Sequence, residues 1–150
     1  MREKLNSELK KSIINKDVVS TKTIRLIIAA IKDRDIDVRT AGNQNGISEA
    51  EIISLLKKMQ KQREESIEHY SKGNRNDLAQ SENEEIQIIK KFLPKQMDDD
   101  EIINIVNEAI KINDAKSISD MGKIMSYLKE NYSSNMDFSK ASKFLKETLI

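Results

Sequence analysis

The sequence of 150 residues contains a single proline, Pro94, which follows a stretch with apolar residues at helical spacing. Proline lacks an amide hydrogen and biases the preceding residue away from helical angles, so a helix arriving through Ile89 and Phe92 should end there. Asp98 is then placed to cap a new helix, with Glu101 as the return partner of a capping box. The segment predicts a helix end, a short hinge at Pro94 and a new helix.

Apolar residues recur at i, i+3, i+4 and i+7 along most of the chain, and only four glycines interrupt it. This pattern is typical of long amphipathic helices, and no segment is predicted as a strand. Seven helices are predicted: residues 3–16, 21–38, 48–71, 77–92, 98–113, one capped by Ser117 or Ser119 and carried to Leu128, and one capped by Asp137. Residues 40–47, which contain two glycines, are predicted to be the most mobile loop.

These elements predict an all-α protein with two units joined at Pro94. The first, residues 1–93, is expected to be an N-terminal four-helix bundle, and the second, residues 98–150, a small C-terminal three-helix bundle. A unit of about fifty residues buries too little apolar surface to be very stable alone. We therefore expect it to need the first unit or a partner.

Composition excludes several classes of function. The 26 basic and 25 acidic residues leave a net charge of +1, so no global field attracts nucleic acid or an anionic membrane. The chain has no cysteine and a single histidine, which excludes a disulfide framework, thiolate chemistry and multi-histidine metal sites. No metal, cofactor or membrane partner is predicted. The polar start and the lack of a long apolar run predict a cytoplasmic location.

Three charged residues fall on helix faces that are otherwise apolar. Arg63 shares the inward face of the third helix, and Glu82 and Glu85 share that of the fourth. Because an unpaired buried charge is very costly, this placement predicts a buried ion pair or network. The main interpretation is structural, and a functional carboxylate is the alternative.

Motifs for catalysis are missing from the sequence. It contains no glycine-rich phosphate loop, no nucleophile elbow, no zinc-ligand spacing and no serine-lysine arrangement in a Gly-Ser-rich segment. No catalytic residue is predicted, and the chain is not expected to be an enzyme by itself.

Five stretches together resemble the YqeY family, small bacterial proteins similar to the C-terminal tail region of the GatB subunit of glutamine-dependent aminoacyl-tRNA amidotransferase. They are ordered as in the family and cover nearly the whole chain: residues 23–32 (TIRLIIAAIK), 61–67 (KQREESI) with Tyr70, 73–78 (GNRNDL), 92–97 (FLPKQM) and 121–125 (MGKIM). One departure stands before the last helix, where many members carry Gly-Arg-Ala-Asp-Gly and residues 133–140 here read SSNMDFSK.

The resemblance implies a four-helix bundle followed by a three-helix bundle. It also implies a non-catalytic, tRNA-associated module, because the corresponding tail contacts tRNA while the carbon-nitrogen ligase chemistry lies elsewhere in the amidotransferase. The alternative is a protein-protein adaptor in amidotransferase or translation-related assembly, so tRNA, amidotransferase subunits or another protein are the expected partners.

Three lysines in the second unit are candidate RNA contacts. Lys123 points away from the apolar face of the sixth helix, and Lys140 and Lys143 project outward from the seventh. They are predicted to form a small positive patch, and the alternative is that they only maintain solubility. Gly122, inside the sixth helix, is predicted to allow close packing on a neighbour, or else the approach of a ligand.

Overall fold

The computed structural model describes residues 1–149, so Ile150, the last residue of the predicted second unit, lies outside this range. The described chain contains seven α-helices, a 3₁₀ turn at Ile118–Asp120 and no β-strand, which confirms the all-α prediction. The helices are α1 (Arg2–Ile14), α2 (Val18–Thr40), α3 (Glu49–Lys72), α4 (Asn76–Lys90), α5 (Asp99–Ile112), α6 (Met121–Tyr132) and α7 (Phe138–Thr148).

Both predicted capping boxes are present. The amide of Glu51 donates to Ser48 Oγ at 3.3 Å, and the amide of Ser48 donates to a Glu51 carboxylate oxygen at 2.7 Å. Asp98 and Glu101 make the same exchange at 2.8 and 2.9 Å. These reciprocal bonds satisfy amides that a helix start leaves unpaired. Because they need particular residue types three positions apart, the sequence pattern was enough to locate both helix starts.

Several helix ends differ from the sequence prediction by two residues or more, among them the end of α1, at Ile14 instead of residue 16, and both ends of α2. Helix α2 begins at Val18 rather than at residue 21, because the side chain of Asp17 accepts the amide of Ser20 at 3.1 Å and caps the helix. Helix α4 ends at Lys90, before the predicted residue 92. Phe92 is nevertheless buried, and the ammonium of Lys4 lies 5.6 Å from the centre of its ring.

The chain divides into two compact units, Met1–Leu93 and the residues from Pro94 onward. In the first unit, α4 packs on α2 and α3, and α1 packs on α2. Its core consists mainly of the isoleucines and leucines that the helical periodicity places inward: Leu5, Ile24, Ile27, Ile31, Ile47, Ile52, Leu56, Met59, Ile88, Ile89 and Phe92.

In the second unit, α5, α6 and α7 pack on one another. The core again follows the apolar stripes of the three helices: Ile102, Val106, Ala109, Ile124, Leu128, Met136, Ala141, Leu145 and Leu149. Within the described residues, no helix combines the length and apolar character needed to cross a membrane.

An ion pair anchors the end of the loop that the sequence predicted to be most mobile. The guanidinium of Arg2 donates to both carboxylate oxygens of Asp35, at 2.7 and 2.9 Å, and to the carbonyl of Ile47 at 3.0 Å. Asp35 also accepts the amide of Ile47 at 2.9 Å, and Ile47 is buried. This Arg2–Asp35 cluster joins α1, α2 and the loop, and periodicity did not predict it.

The Arg2–Asp35 cluster predicts an acid dependence of stability. Hydrogen bonds from Arg2, then from the Ile47 amide, lower the pKa of Asp35 from 3.8 to about 2. A carboxylate with a lowered folded-state pKa contributes stability that is complete above its unfolded value near 4 and is lost as the pH falls toward 2. We expect the difference in urea midpoint between wild type and Asp35→Asn to shrink across this window. A difference that stayed constant down to pH 2 would contradict the assignment.

Candidate functional site

The ion pair predicted between α3 and α4 is present in the structure. Arg63 Nε donates to Glu85 Oε2 at 2.8 Å, and Arg63 Nη1 donates to the carbonyl of Met59 at 3.2 Å. The two side chains are only 14% and 10% exposed. A pair this far from solvent fixes how α3 and α4 pack, because neither charge can be left alone there.

Lys22 of α2 is a further partner of the same carboxylate, and sequence reasoning missed it. Its ammonium lies 3.3 Å from Glu85 Oε1, although the lysine side chain is 65% exposed. The helical pattern gave no signal for it because Lys22 lies outside the apolar face of α2. Glu82 is half-buried, and within residues 1–149 no hydrogen bond or ion pair joins it to Arg63. Glu85 therefore connects α2, α3 and α4.

The carboxylates with shifted pKa values serve structure. In the described chain, six have a pKa below the ordinary value: Asp17, Asp35, Glu51, Glu68, Asp77 and Asp120. The largest cause in each is a hydrogen bond donated to the charged form by a neighbouring side chain or backbone amide. A general acid or base needs a pKa shifted toward neutrality, which is the opposite direction. No group of three or more acidic or histidine residues in the described range could hold a metal ion.

The three candidate RNA lysines do not form one patch. Lys140 lies at the start of α7, and its ammonium pairs with Asp99 Oδ1 at 2.8 Å, in the first turn of α5. The ammonium of Lys123 donates to the carbonyl of Asn113 at 3.3 Å, just after the last turn of α5. A helix of 14 residues is about 21 Å long, so the two ammonium groups lie at opposite ends of α5.

Lys143, unlike Lys123, lies in one row with Lys140 along α7, and the sequence analysis missed the third lysine of that row. With Lys146, Ser139 and Ser142 it lines a shallow depression of about 390 Å³ on α7, bordered by Glu147. Both lysines are exposed. We call these four residues, together with Lys140, the α7 basic row. The i, i+3, i+6 spacing of its lysines was the signal that could have located Lys146.

The loop that replaces the family motif before the last helix is bound to the link after Pro94. The amide of Met97 donates to the carbonyl of Asn135 at 2.9 Å. The side-chain amide of Gln96 donates to the carbonyls of Pro94 and Ser134 at 2.8 and 3.0 Å. The link and the loop are thus held together within the second unit, and a hinge at Pro94 remains a prediction.

Gly122 corrects one interpretation of the sequence. An added Cβ would have no atom within 4 Å and the residue is exposed, so glycine does not serve close packing on a neighbouring helix.

We expect Gly122→Ala to raise the free energy of unfolding by about 1 kcal/mol, because alanine loses less backbone entropy in a helix. Chemical denaturation of the variant beside wild type measures this. A destabilised variant would mean that a contact outside the described structure requires glycine.

The family model described as "Yqey-like protein" matches residues 2–149 of the chain. Several similar proteins are named "Altered inheritance of mitochondria protein 41, mitochondrial". The one from Clavispora lusitaniae is 38% identical over 119 residues, covering 75% of this chain and 66% of its own length. The one from Lachancea thermotolerans is 38% identical over 89 residues, covering 59% of this chain and 46% of its own. The chain thus spans between about half and two thirds of these curated relatives.

These relatives also correct the predicted location. The sequence analysis predicted a cytoplasmic protein, and the similar proteins from Lachancea thermotolerans, Clavispora lusitaniae and Meyerozyma guilliermondii are all named mitochondrial. The cytoplasmic prediction is therefore wrong on this comparison. It rested on the polar first residues and the lack of a long apolar run, neither of which distinguishes one aqueous compartment from another.

Proposed function

Because the chain belongs to the Yqey-like protein family, we propose that it is a non-catalytic helical module that associates with tRNA and acts in tRNA-dependent amidation. We also propose the arrangement that this family implies, a four-helix bundle over residues 1–93 followed by a three-helix bundle over residues 98–150. The observation that carries the tRNA proposal is the α7 basic row.

The chemistry of this row suits a phosphate backbone. Lys143 and Lys146 supply exposed positive charge, and Ser139 and Ser142 supply hydroxyl donors beside them. Most contacts between proteins and nucleic acids are made by such groups to phosphate and sugar, and they position the protein without reading sequence. Lys140 adds a third ammonium from the same helix, although Asp99 holds it.

The non-catalytic part of the proposal is supported by the titratable groups. Every shifted carboxylate is held in its charged form by a cap or an ion pair, and Glu85 is occupied by Arg63 and Lys22. A group bound in this way is poorly placed to exchange a proton with a substrate.

The α7 basic row predicts weak, salt-sensitive tRNA binding. Contact with about three phosphates gives a log-log salt slope of about −2 to −3 and micromolar-range affinity at physiological salt. We expect the double variant Lys143→Glu, Lys146→Glu to weaken binding at least about tenfold and to reduce the slope by about 2. Titration of total tRNA between about 50 and 200 mM salt measures both quantities.

The matched control is Lys10→Glu, Lys32→Glu, which makes the same change in net charge on exposed lysines of the first unit. This control should bind nearly as wild type does. Lys123→Glu, at the far end of α5, should also have little effect. Equal losses in the two double variants, which change the net charge equally, would attribute binding to net charge. An unchanged salt slope in the Lys143→Glu, Lys146→Glu variant would show that the α7 basic row does not contact phosphates.

A second candidate function is a protein-protein adaptor in amidotransferase or translation-related assembly. A cluster of exposed apolar side chains in the first unit favours it, since clustered apolar surface usually marks a binding site. Pull-down with and without ribonuclease treatment distinguishes the two candidates. Partners that stay bound after RNA is removed favour the adaptor.

A further inference from the structure

Large apolar side chains are exposed together where α1 ends and α2 begins. They are between 38% and 78% exposed: Ile13, Ile14, Val18, Val19 and Leu26. Single exposed apolar residues are common on protein surfaces, but a cluster within fourteen residues of sequence usually marks an interaction site. The apolar stripes of α1 and α2 that form the core do not account for these residues.

Three of these residues line an open groove. Ile13, Val18 and Leu26 surround a volume of about 600 Å³, with Ser12 and Thr21 also contributing to its wall. The Ser12 hydroxyl donates to the carbonyl of Leu9 at 2.8 Å and accepts from Thr21 Oγ1 at 2.9 Å. Because these hydroxyls already have partners, the groove offers mainly apolar contact. We call it the α1–α2 groove.

The remaining lining residues of the α1–α2 groove are cationic. Lys16, Lys22 and Arg25 form its rim, Lys22 while also paired with Glu85, and none of the eight residues that line it, all within the described chain, is acidic. Lys16 has a φ of 56°, in the left-handed region where a helix end usually has glycine. Asn74 and Asp114, which follow α3 and α5, have a similar left-handed φ, so this conformation marks the helix end and places Lys16 beside the groove.

We propose that the α1–α2 groove docks an amphipathic helix of a partner protein, with an apolar stripe for the groove and flanking Asp or Glu residues for its rim. From Val18 to Leu26 the groove follows nine residues of α2, about 12 Å or two helical turns. This length accommodates apolar anchors at i, i+3 or i+4, and i+7, the usual spacing for a helix bound in a groove.

The positive rim and apolar walls of the α1–α2 groove favour an acidic amphipathic helix over a second copy of the chain or a nucleic acid. A second copy of the chain docked symmetrically would bring two cationic rims together, which is unfavourable. A nucleic acid would satisfy the cations but leave the apolar side chains uncovered. An acidic amphipathic helix complements both the rim and the apolar walls.

This inference goes beyond the proposed tRNA association and does not depend on it. The α7 basic row lies in the second unit, whereas the α1–α2 groove lies entirely in the first. Loss of tRNA binding in the α7 variants would leave the docking proposal intact, and the reverse also holds.

The test uses the full chain, isotopically labelled, and a synthetic fifteen-residue helical peptide with leucines at the anchor positions and flanking glutamates. Nuclear magnetic resonance titration should shift the amides of residues 12–26 and give a Kd. Arg25→Glu and Leu26→Ser should each weaken this Kd about fivefold to tenfold. A peptide with lysines replacing the glutamates should bind at least about tenfold more weakly.

The matched control is Ile36→Ser, which removes an exposed apolar side chain of the same helix outside the groove and should leave the Kd unchanged. Circular dichroism of each variant confirms that it remains folded. Lack of binding by the acidic peptide would overturn the proposal, as would equal binding of both peptides or a Kd unaffected by Arg25→Glu and Leu26→Ser. Binding to vesicles of phosphatidylcholine and phosphatidylglycerol that displaces the peptide would reassign the groove to a membrane surface.

Discussion

Arg63→Ala is expected to lower the free energy of unfolding of the first unit by about 3 kcal/mol. The substitution leaves the carboxylate of Glu85 in a site where its side chain is only 10% exposed. Lys22 remains 3.3 Å away and compensates in part, so the loss should lie near the lower end of the range for a broken buried pair. Hydrogen exchange of the α3 and α4 amides, together with the urea midpoint, measures the effect.

Two further variants distinguish loss of the ion pair from loss of side-chain packing as the cause of the lower stability. Lys61→Ala, on an exposed face of α3, should change the midpoint little. The double variant Arg63→Met, Glu85→Leu should recover most of the stability, because apolar residues of similar volume can replace a buried pair. If Arg63→Ala unfolded at the same urea concentration as wild type, the pair would contribute nothing to stability.

Gly46→Ala should destabilise the protein by about 3 kcal/mol, through two effects at one position. The residue has a φ of 78°, which an L side chain adopts only with strain. An added Cβ would also collide with the carboxylate of Asp35, and so displace the group that binds Arg2 and the Ile47 amide. Loss of these charged hydrogen bonds adds to the backbone strain.

Gly42 is the matched control for this substitution. Its φ is 100°, but an added Cβ would meet nothing within 4 Å, so Gly42→Ala isolates the backbone strain, about 1–2 kcal/mol. Urea denaturation of both variants at neutral pH gives the difference. Equal losses would show that the Asp35 carboxylate moves aside without cost, and that the Arg2–Asp35 cluster does not fix the loop.

The features that the sequence predicted correctly depend on local spacing. The capping boxes of Ser48 and Asp98 are patterns of four residues, and the inward placement of Arg63 and Glu85 follows from helical periodicity alone. In each case the position of a residue within its own helix was sufficient to predict its role as a cap or its inward direction. Tertiary packing then brought the two faces together as expected.

The features that the sequence did not predict depend on where a residue lies along a helix axis, or on an ion pair between residues far apart in the sequence. Periodicity placed Lys123 and Lys140 on outward faces but did not show that they lie at opposite ends of α5. Asp35 falls on the inward stripe of α2, between Ile31 and Val38, but Arg2 is 33 residues away and no local pattern marked it as the partner. Asp17 was missed because the apolar residues that follow it, Val18 and Val19, are exposed and do not belong to the inward stripe of α2.

The position of Glu85 in the chain has a consequence for folding on the ribosome. Arg2, Asp35 and Ile47 all lie in the first 47 residues, so their cluster can form early, whereas Lys22 and Arg63 must wait for a carboxylate 22 residues beyond Arg63. At about 5–20 residues per second, that delay is roughly one to four seconds. During this interval the nascent chain carries two cations without their partner, and α4 then supplies the carboxylate that both contact.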